Sequence, residues 1–309
     1  MNAAVPPRCR ARYTTKVPLD EEQCGMEAPR PAWSWQFAPE RVRTVPAVPV
    51  LEEITPRWAW EGGTGAGMKV AVVDSGIDNG HPAVAGHVKG FISFSEDRNG
   101  VMHVSEEPHT DAFGHGTACA DIIRRLAPEC DLYSVKVLGP MLTGKGTAFA
   151  AGLRWAIEQG MHVVNLSLGT TKQDYVGLFH ELADLAYFRN VVLVTAANNM
   201  PVTSYPSLFA AVTSVACHEG QDPFEFYYNP DPPVEFGAPG INVRVAWLGG
   251  GYMTVTGNSF AAPHITGLVA KILSKHPGLT PFQVKTILRA TARNVHRGDG
   301  GGSARGHAR

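Results

Sequence analysis

Five short runs of this chain are almost wholly apolar and rich in valine. They are Lys69-Val70-Ala71-Val72-Val73 and residues 132–137, 162–168, 191–194 and 212–216. Turn residues flank them, and they lack the polar alternation of a half-wet strand. Such runs predict parallel strands buried on both faces. Stretches with helical spacing lie between them. Residues 147–158 carry Phe149, Leu153, Trp155 and Ile157, and Gly160 stops the helix. Residues 175–188 predict another. Thr280-Pro281-Phe282-Gln283 supplies an N-cap, a first-turn proline and a capping-box glutamine for a helix ending near Ala292. Strand–helix alternation of this kind implies an α/β fold: an open, doubly wound, mostly parallel sheet with helices on both faces and right-handed crossovers. Sites in such sheets lie at the carboxyl ends of the strands, where Asp74 falls.

The periodicity fades at both ends. Residues 1–56 are rich in Pro, Arg and Glu, with an aromatic patch at Trp33-Ser34-Trp35-Gln36-Phe37. They predict an irregular N-terminal arm, either lying on the domain or acting as a short inhibitory or substrate-recognition segment. Residues 57–296 form the folded domain, and the glycine-rich residues 297–309 predict a flexible tail. At 309 residues the chain can bury one substantial core. A net charge of -1 gives no reason to expect nucleic acid or an anionic membrane as partner, and no apolar run is long enough to span a bilayer. The start has no apolar core of a secretory signal, so the expected location is cytoplasmic, or secreted if the native start is missing. Five cysteines, an odd and small number, are read as free thiols. No Cys/His spacing resembles a zinc site, and no metal or cofactor is expected. The chain is expected to be a monomer.

Three stretches carry chemistry: Val72-Val73-Asp74-Ser75-Gly76, Gly114-His115-Gly116-Thr117 and Gly257-Asn258-Ser259-Phe260-Ala261-Ala262-Pro263. A serine hydroxyl needs an imidazole to take its proton. The imidazole needs a carboxylate to fix its tautomer and stabilise its cation. Ser259, His115 and Asp74 fit those roles, and His115 and Ser259 each open a predicted helix. The helix dipole behind Ser259 favours a developing oxyanion. A side-chain donor is also needed. Thr195-Ala196-Ala197-Asn198-Asn199 ends a buried strand and offers two amides, of which Asn199 is chosen by motif position.

These motifs, in the order Asp, His, Ser, resemble those of the subtilase (subtilisin-like serine protease) family over roughly residues 58–295. The resemblance implies a subtilisin-like fold and a serine endopeptidase acting on a peptide or protein substrate. It further implies that Ser167, Leu168 and Gly169, in Asn165-Leu166-Ser167-Leu168-Gly169, pair with bound peptide as a strand. Gly144, in Thr143-Gly144-Lys145-Gly146, then clamps the other edge. His81 and His264 are expected to be structural, and His109 to sit on an exposed loop. Cys119, one turn after His115, is read as a small buried residue. At this position the family resemblance implies sensitivity to mercurials.

Several positions depart from the family pattern. Asn258 replaces the usual threonine before the serine, and its amide is expected to donate to the oxyanion. Asn198 replaces glycine, and Phe260 stands where methionine is common. Residues 122–129 pass straight to the next strand where secreted relatives insert a calcium loop, so that high-affinity site is expected to be absent. The missing signal and pro-domain suggest an enzyme working inside the cell on a dedicated precursor peptide. Two alternatives stand beside hydrolysis: an acyl-transfer ligase or cyclase on the same triad, and a catalytically weak peptide-binding module.

Overall fold

The computed structural model describes residues 54–84 and 86–295, together with Arg41. Contacts divide the chain between Leu51 and Glu52, and the sheet and all its helices belong to the second unit. The arm and tail expected from the sequence lie outside the described residues, apart from Arg41 and residues 54–56.

After a short helix, α1 (Pro56–Ala59), the chain enters the middle of a nine-stranded sheet as β1 (Lys69–Asp74). It then crosses to one side for β2 (Val88–Glu96) and the edge strand β3 (Met102–Ser105). Helix α2 (His115–Leu126) leads back to β4 (Asp131–Lys136), which pairs with β1. Helix α3 (Gly146–Glu158) carries the chain to the other side. There β5 (Val163–Leu166), α4 (Val176–Phe188), β6 (Val192–Ala196) and β7 (Thr213–His218) succeed one another. The strands β8 (Tyr227–Tyr228) and β9 (Phe236–Pro239) finish the sheet, in the order β3-β2-β4-β1-β5-β6-β7-β9-β8. Within it, only β3 and β8 run antiparallel to their neighbours. A separate hairpin, β10 (Val243–Ala246) and β11 (Tyr252–Val255), leads into α5 (Asn258–Lys275), and α6 (Pro281–Thr291) is the last helix among the described residues.

β1 lies where the winding reverses, with β4 on one side and β5 on the other. A crevice opens at such a switch point, outside the carboxyl ends of the strands. From Val70 to Asp74 every residue of β1 is buried, as its valine-rich sequence predicts. Ala71, Val73, Val135, Leu166 and Leu193 pack with Leu153, Ile157 and Phe179 of α3 and α4 on one face. α2 and α5 pack together on the other face. The predicted capping box is present: Thr280 Oγ1 accepts from Gln283 N–H at 3.3 Å, and Gln283 Oε1 accepts from Thr280 N–H at 2.8 Å. The strand expected over residues 162–168 is shorter than its apolar run. β5 ends at Leu166, so residues 167–169 leave the sheet with backbone groups to spare.

Candidate active site

Asp74 is the last residue of β1 and is fully buried. Both its oxygens lie 2.9 Å from His115 Nδ1. A carboxylate can only accept, so Nδ1 carries the proton and Nε2 is left with its lone pair. Burial is the largest single influence and lowers the imidazole's proton affinity, but the charge and hydrogen bond of Asp74, together with Cys119, outweigh it and hold the His115 pKa well above 6.5. His115 opens α2 because Gly114, with φ 110°, turns the chain through the left-handed region. A Cβ on Gly114 would also lie 2.8 Å from the Trp247 ring.

A second buried carboxylate, Asp111, shapes this turn. One oxygen accepts from Phe113 and Gly114 N–H and from Ser75 Oγ; the other accepts from the amide and hydroxyl of Thr117. Sequence reasoning missed it. The available signal was an acidic residue four positions ahead of a histidine that opens a helix.

Ser259 lies in the first turn of α5, after Gly257 at the N-cap. Its neighbour Phe260 packs on His115, with ring centroids 5.1 Å apart. Ser259 Oγ donates to Ser167 O at 3.1 Å, and Ser167 Oγ donates back to Ser259 O at 2.7 Å. Pro263 explains why that carbonyl is available. It has no N–H to give the carbonyl four residues earlier, so Ser259 O accepts from outside the helix. Gly257 N–H donates to Gly240 O, Asn258 N–H to Asn199 Oδ1 and Phe260 N–H to Gly257 O. The Ser259 N–H is left, among the described residues, without a protein acceptor.

Asn199 is exposed at the end of the segment leaving β6. Its Oδ1 accepts from Asn258 N–H at 2.8 Å, which fixes the amide so that Nδ2 is the free end. Asn198 turns the other way and caps Met200 N–H at 2.8 Å. The geometry around Asn258 overturns the expectation that its amide faces an oxyanion. Both of its protons go to backbone carbonyls, of Ala197 at 3.2 Å and Asn198 at 3.0 Å.

Ser167 is buried, Leu168 half-buried and Gly169 exposed, and the strand pairing with Tyr205 begins only at Thr170. Gly144 is exposed, beside a cavity of about 510 Å³ also lined by Lys136, Leu138 and Lys145. A Cβ at Gly144 would sit 2.4 Å from Val137 O, so this edge approaches the sheet as closely as only glycine allows.

His81 and His264 are held structurally. The first bridges Gly251 O and Ala83 N–H; the second donates to Phe260 O, and burial lowers its pKa to about 4. His109 is not on an exposed loop as expected: it is half-buried against Phe91 and bonds Ser134 Oγ at 2.8 Å. Cys119 is fully buried under the serine, 3.4 Å from Ser167 Oγ and 3.6 Å from Ser259 O. Burial pushes its thiol pKa up. Cys119, Cys130 and Cys217 are free; Cys9 and Cys24 lie outside the described residues.

The subtilase family profile matches residues 65–306. The chain belongs to the subtilase family. Subtilisin Savinase of Lederbergia lenta is 34% identical over 244 residues, covering 75% of this chain and 86% of that relative. Subtilisin E of Bacillus subtilis (strain 168) is 32% identical over 247 residues, again 75% of this chain but 62% of the relative's length. Among solved structures, sphericase superposes with TM-score 0.63 at 27% identity, over 78% of this chain and 85% of its own. The S41 psychrophilic protease gives 0.62 at 28%, over 74% and 83%. This subtilase shares their doubly wound fold, and its class is that of a subtilisin-like serine endopeptidase.

Proposed function

We propose that this subtilase hydrolyses peptide bonds through an acyl-enzyme on Ser259, with His115 as base and Asp74 as its orienting carboxylate. The observation that carries the reading is the buried Asp74–His115 pair, with Ser259 one residue from the ring packed on that imidazole. Ser259 Oγ donates to Ser167 O. The bond from this hydroxyl to His115 Nε2 belongs to the substrate complex in this reading, since catalytic hydrogen bonds commonly tighten only once substrate is bound.

In the first step Oγ bonds to the carbonyl carbon and its proton passes to Nε2. The oxyanion meets Ser259 N–H and Asn199 Nδ2. The imidazolium, stabilised by Asp74, then gives that proton to the departing amine nitrogen as the C–N bond breaks. Water repeats the sequence on the ester: it loses a proton to His115, releases the carboxylic acid and restores the serine. The substrate is an extended peptide segment, because the backbone groups of Ser167, Leu168 and Gly169 and the edge at Gly144 offer strand pairing on both sides.

A fluorophosphonate probe tests the nucleophile. Wild type should label at Ser259 and Ser259→Ala should not; equal labelling of both would sink the assignment. Masses of the products from a peptide library identify the acceptor. Cleaved fragments each carrying new termini support hydrolysis; joined or cyclic products would favour acyl transfer to an amine.

A further inference from the structure

The structure assigns Asn258 a positioning role: it locks the loop bearing Asn199 against the first turn of α5, so that the Asn199 amide is aimed before substrate arrives. This role rests on those proposed for Asn199 and Ser259.

The last ladder bond of the segment leaving β6 runs from Ala197 N–H to Val215 O, at 2.8 Å. Beyond it, Asn198 and Asn199 have left the sheet. Asn258 takes over at that point with four hydrogen bonds. Its own N–H donates to Asn199 Oδ1 at 2.8 Å. Its Nδ2 donates to Ala197 O at 3.2 Å and to Asn198 O at 3.0 Å. Its Oδ1 accepts from Cys217 N–H, in β7, at 2.9 Å. One residue therefore joins three segments: the helix turn carrying the nucleophile, the loop carrying the oxyanion donor, and the neighbouring strand.

Only a carboxamide fits this work. It needs two donor protons and an acceptor on one planar group. A threonine or serine hydroxyl has one proton, and an aspartate has none. A residue that satisfies the loop in this way has nothing left to offer the oxyanion, so Asn258 acts through Asn199. Asn199 is exposed and reaches the site as the end of a loop. Its amide is worth most when its orientation is settled in advance, since a preorganised donor costs no reorganisation during reaction.

The test is a double-mutant cycle on a peptide anilide substrate, with Asn258→Ala, Asn199→Ala and both together. Asn199→Ala should lose about 10²–10³ in kcat, a magnitude established on subtilisin and carried over here. Asn258→Ala should lose roughly ten- to a hundredfold in kcat with KM changed less than about twofold, and the double variant should be no worse than Asn199→Ala. Asn258→Asp keeps the acceptor for Cys217 N–H and removes both loop donors; it should show the same kcat loss, and it decides the matter if Asn258→Ala does not fold. The inference is overturned if Asn258→Asp keeps wild-type kcat, or if the two losses multiply in the double variant. A different result, Asn199→Ala with undiminished kcat, would instead remove the oxyanion reading on which this one stands.

Discussion

His115 can take a proton only when it is neutral, and its surroundings resist that. Burial alone would lower its pKa, but the carboxylate of Asp74 at 2.9 Å, with Cys119 beside the ring, outweighs burial and raises it well above 6.5. The acidic limb of kcat/KM should therefore rise with pH, through a midpoint above 6.5. Asp74→Asn removes the charge and leaves the burial, so the midpoint should move down. The rate should fall by about 10⁴, because the imidazole loses the partner that fixes its tautomer. A pH profile of both proteins checks this, and an unmoved midpoint would show that Asp74 does not set the titration. Stability responds with the opposite sign. A histidine whose pKa is raised by folding stabilises fully below its unfolded value of about 6.5, and that contribution is lost as pH climbs through the folded value. At this site the pH that frees the base also weakens the Asp74–His115 pair.

The pair depends on how closely two elements approach. A Cβ on Gly116 of α2 would lie 2.0 Å from Gly76 O and 3.2 Å from Asp74 Cβ, so the helix rests its backbone directly on the turn after β1. Gly116→Ala should force α2 outward and stretch the Asp74–His115 contact, with a loss of at least about 10² in kcat/KM. Gly177→Ala in α4 is the control: nothing lies within 4 Å of its Cβ, so it should keep full activity and gain about 0.5–1 kcal/mol from the better helix former. Much of this scale was legible in the sequence. Strands buried on both faces announce themselves as unbroken apolar runs, and Thr280 and Gln283 announced a cap that is present. β2 did not: it packs one side only, and Gly90 and two serines break its pattern. The hairpin was hidden too, because Tyr252, Met253 and Thr254 are all exposed and carry no alternation. The motif residues of the site could be read because their chemistry requires particular side chains. The role of Asn258 could not, since it acts on backbone groups brought near by folding, and Asp111 left only its spacing from His115 as a signal.

Across the whole molecule, the relay depends on three elements far apart in sequence keeping one relative position. β1 carries Asp74, α2 carries His115 and α5 carries Ser259; the hairpin before α5 is tied to α2 by two side chains, Asp121 and Arg125. Asp121, buried in α2, accepts from Ala246 N–H of β10 at 2.7 Å and from Arg125 Nε at 2.9 Å. Arg125 in turn donates to Arg244 O at 2.8 Å. Asp121→Ala leaves the buried Ala246 amide without its acceptor, a cost of about 1–3 kcal/mol. The arginine adds little, since its side chain is 43% exposed and water takes up its charge. Asp121→Asn still offers an oxygen to Ala246 N–H, so it should lose much less. At roughly 2–4 °C per kcal/mol for a chain of this size, Asp121→Ala should lower Tm by several degrees and Asp121→Asn by about one or two. Both belong in a Ser259→Ala background, because a protease that digests its own unfolded chains melts irreversibly and reports a rate instead of an equilibrium. Equal losses in the two variants would mean that the ion pair, and not the hydrogen bond to the hairpin, holds α2 in register with the strand ahead of the nucleophile.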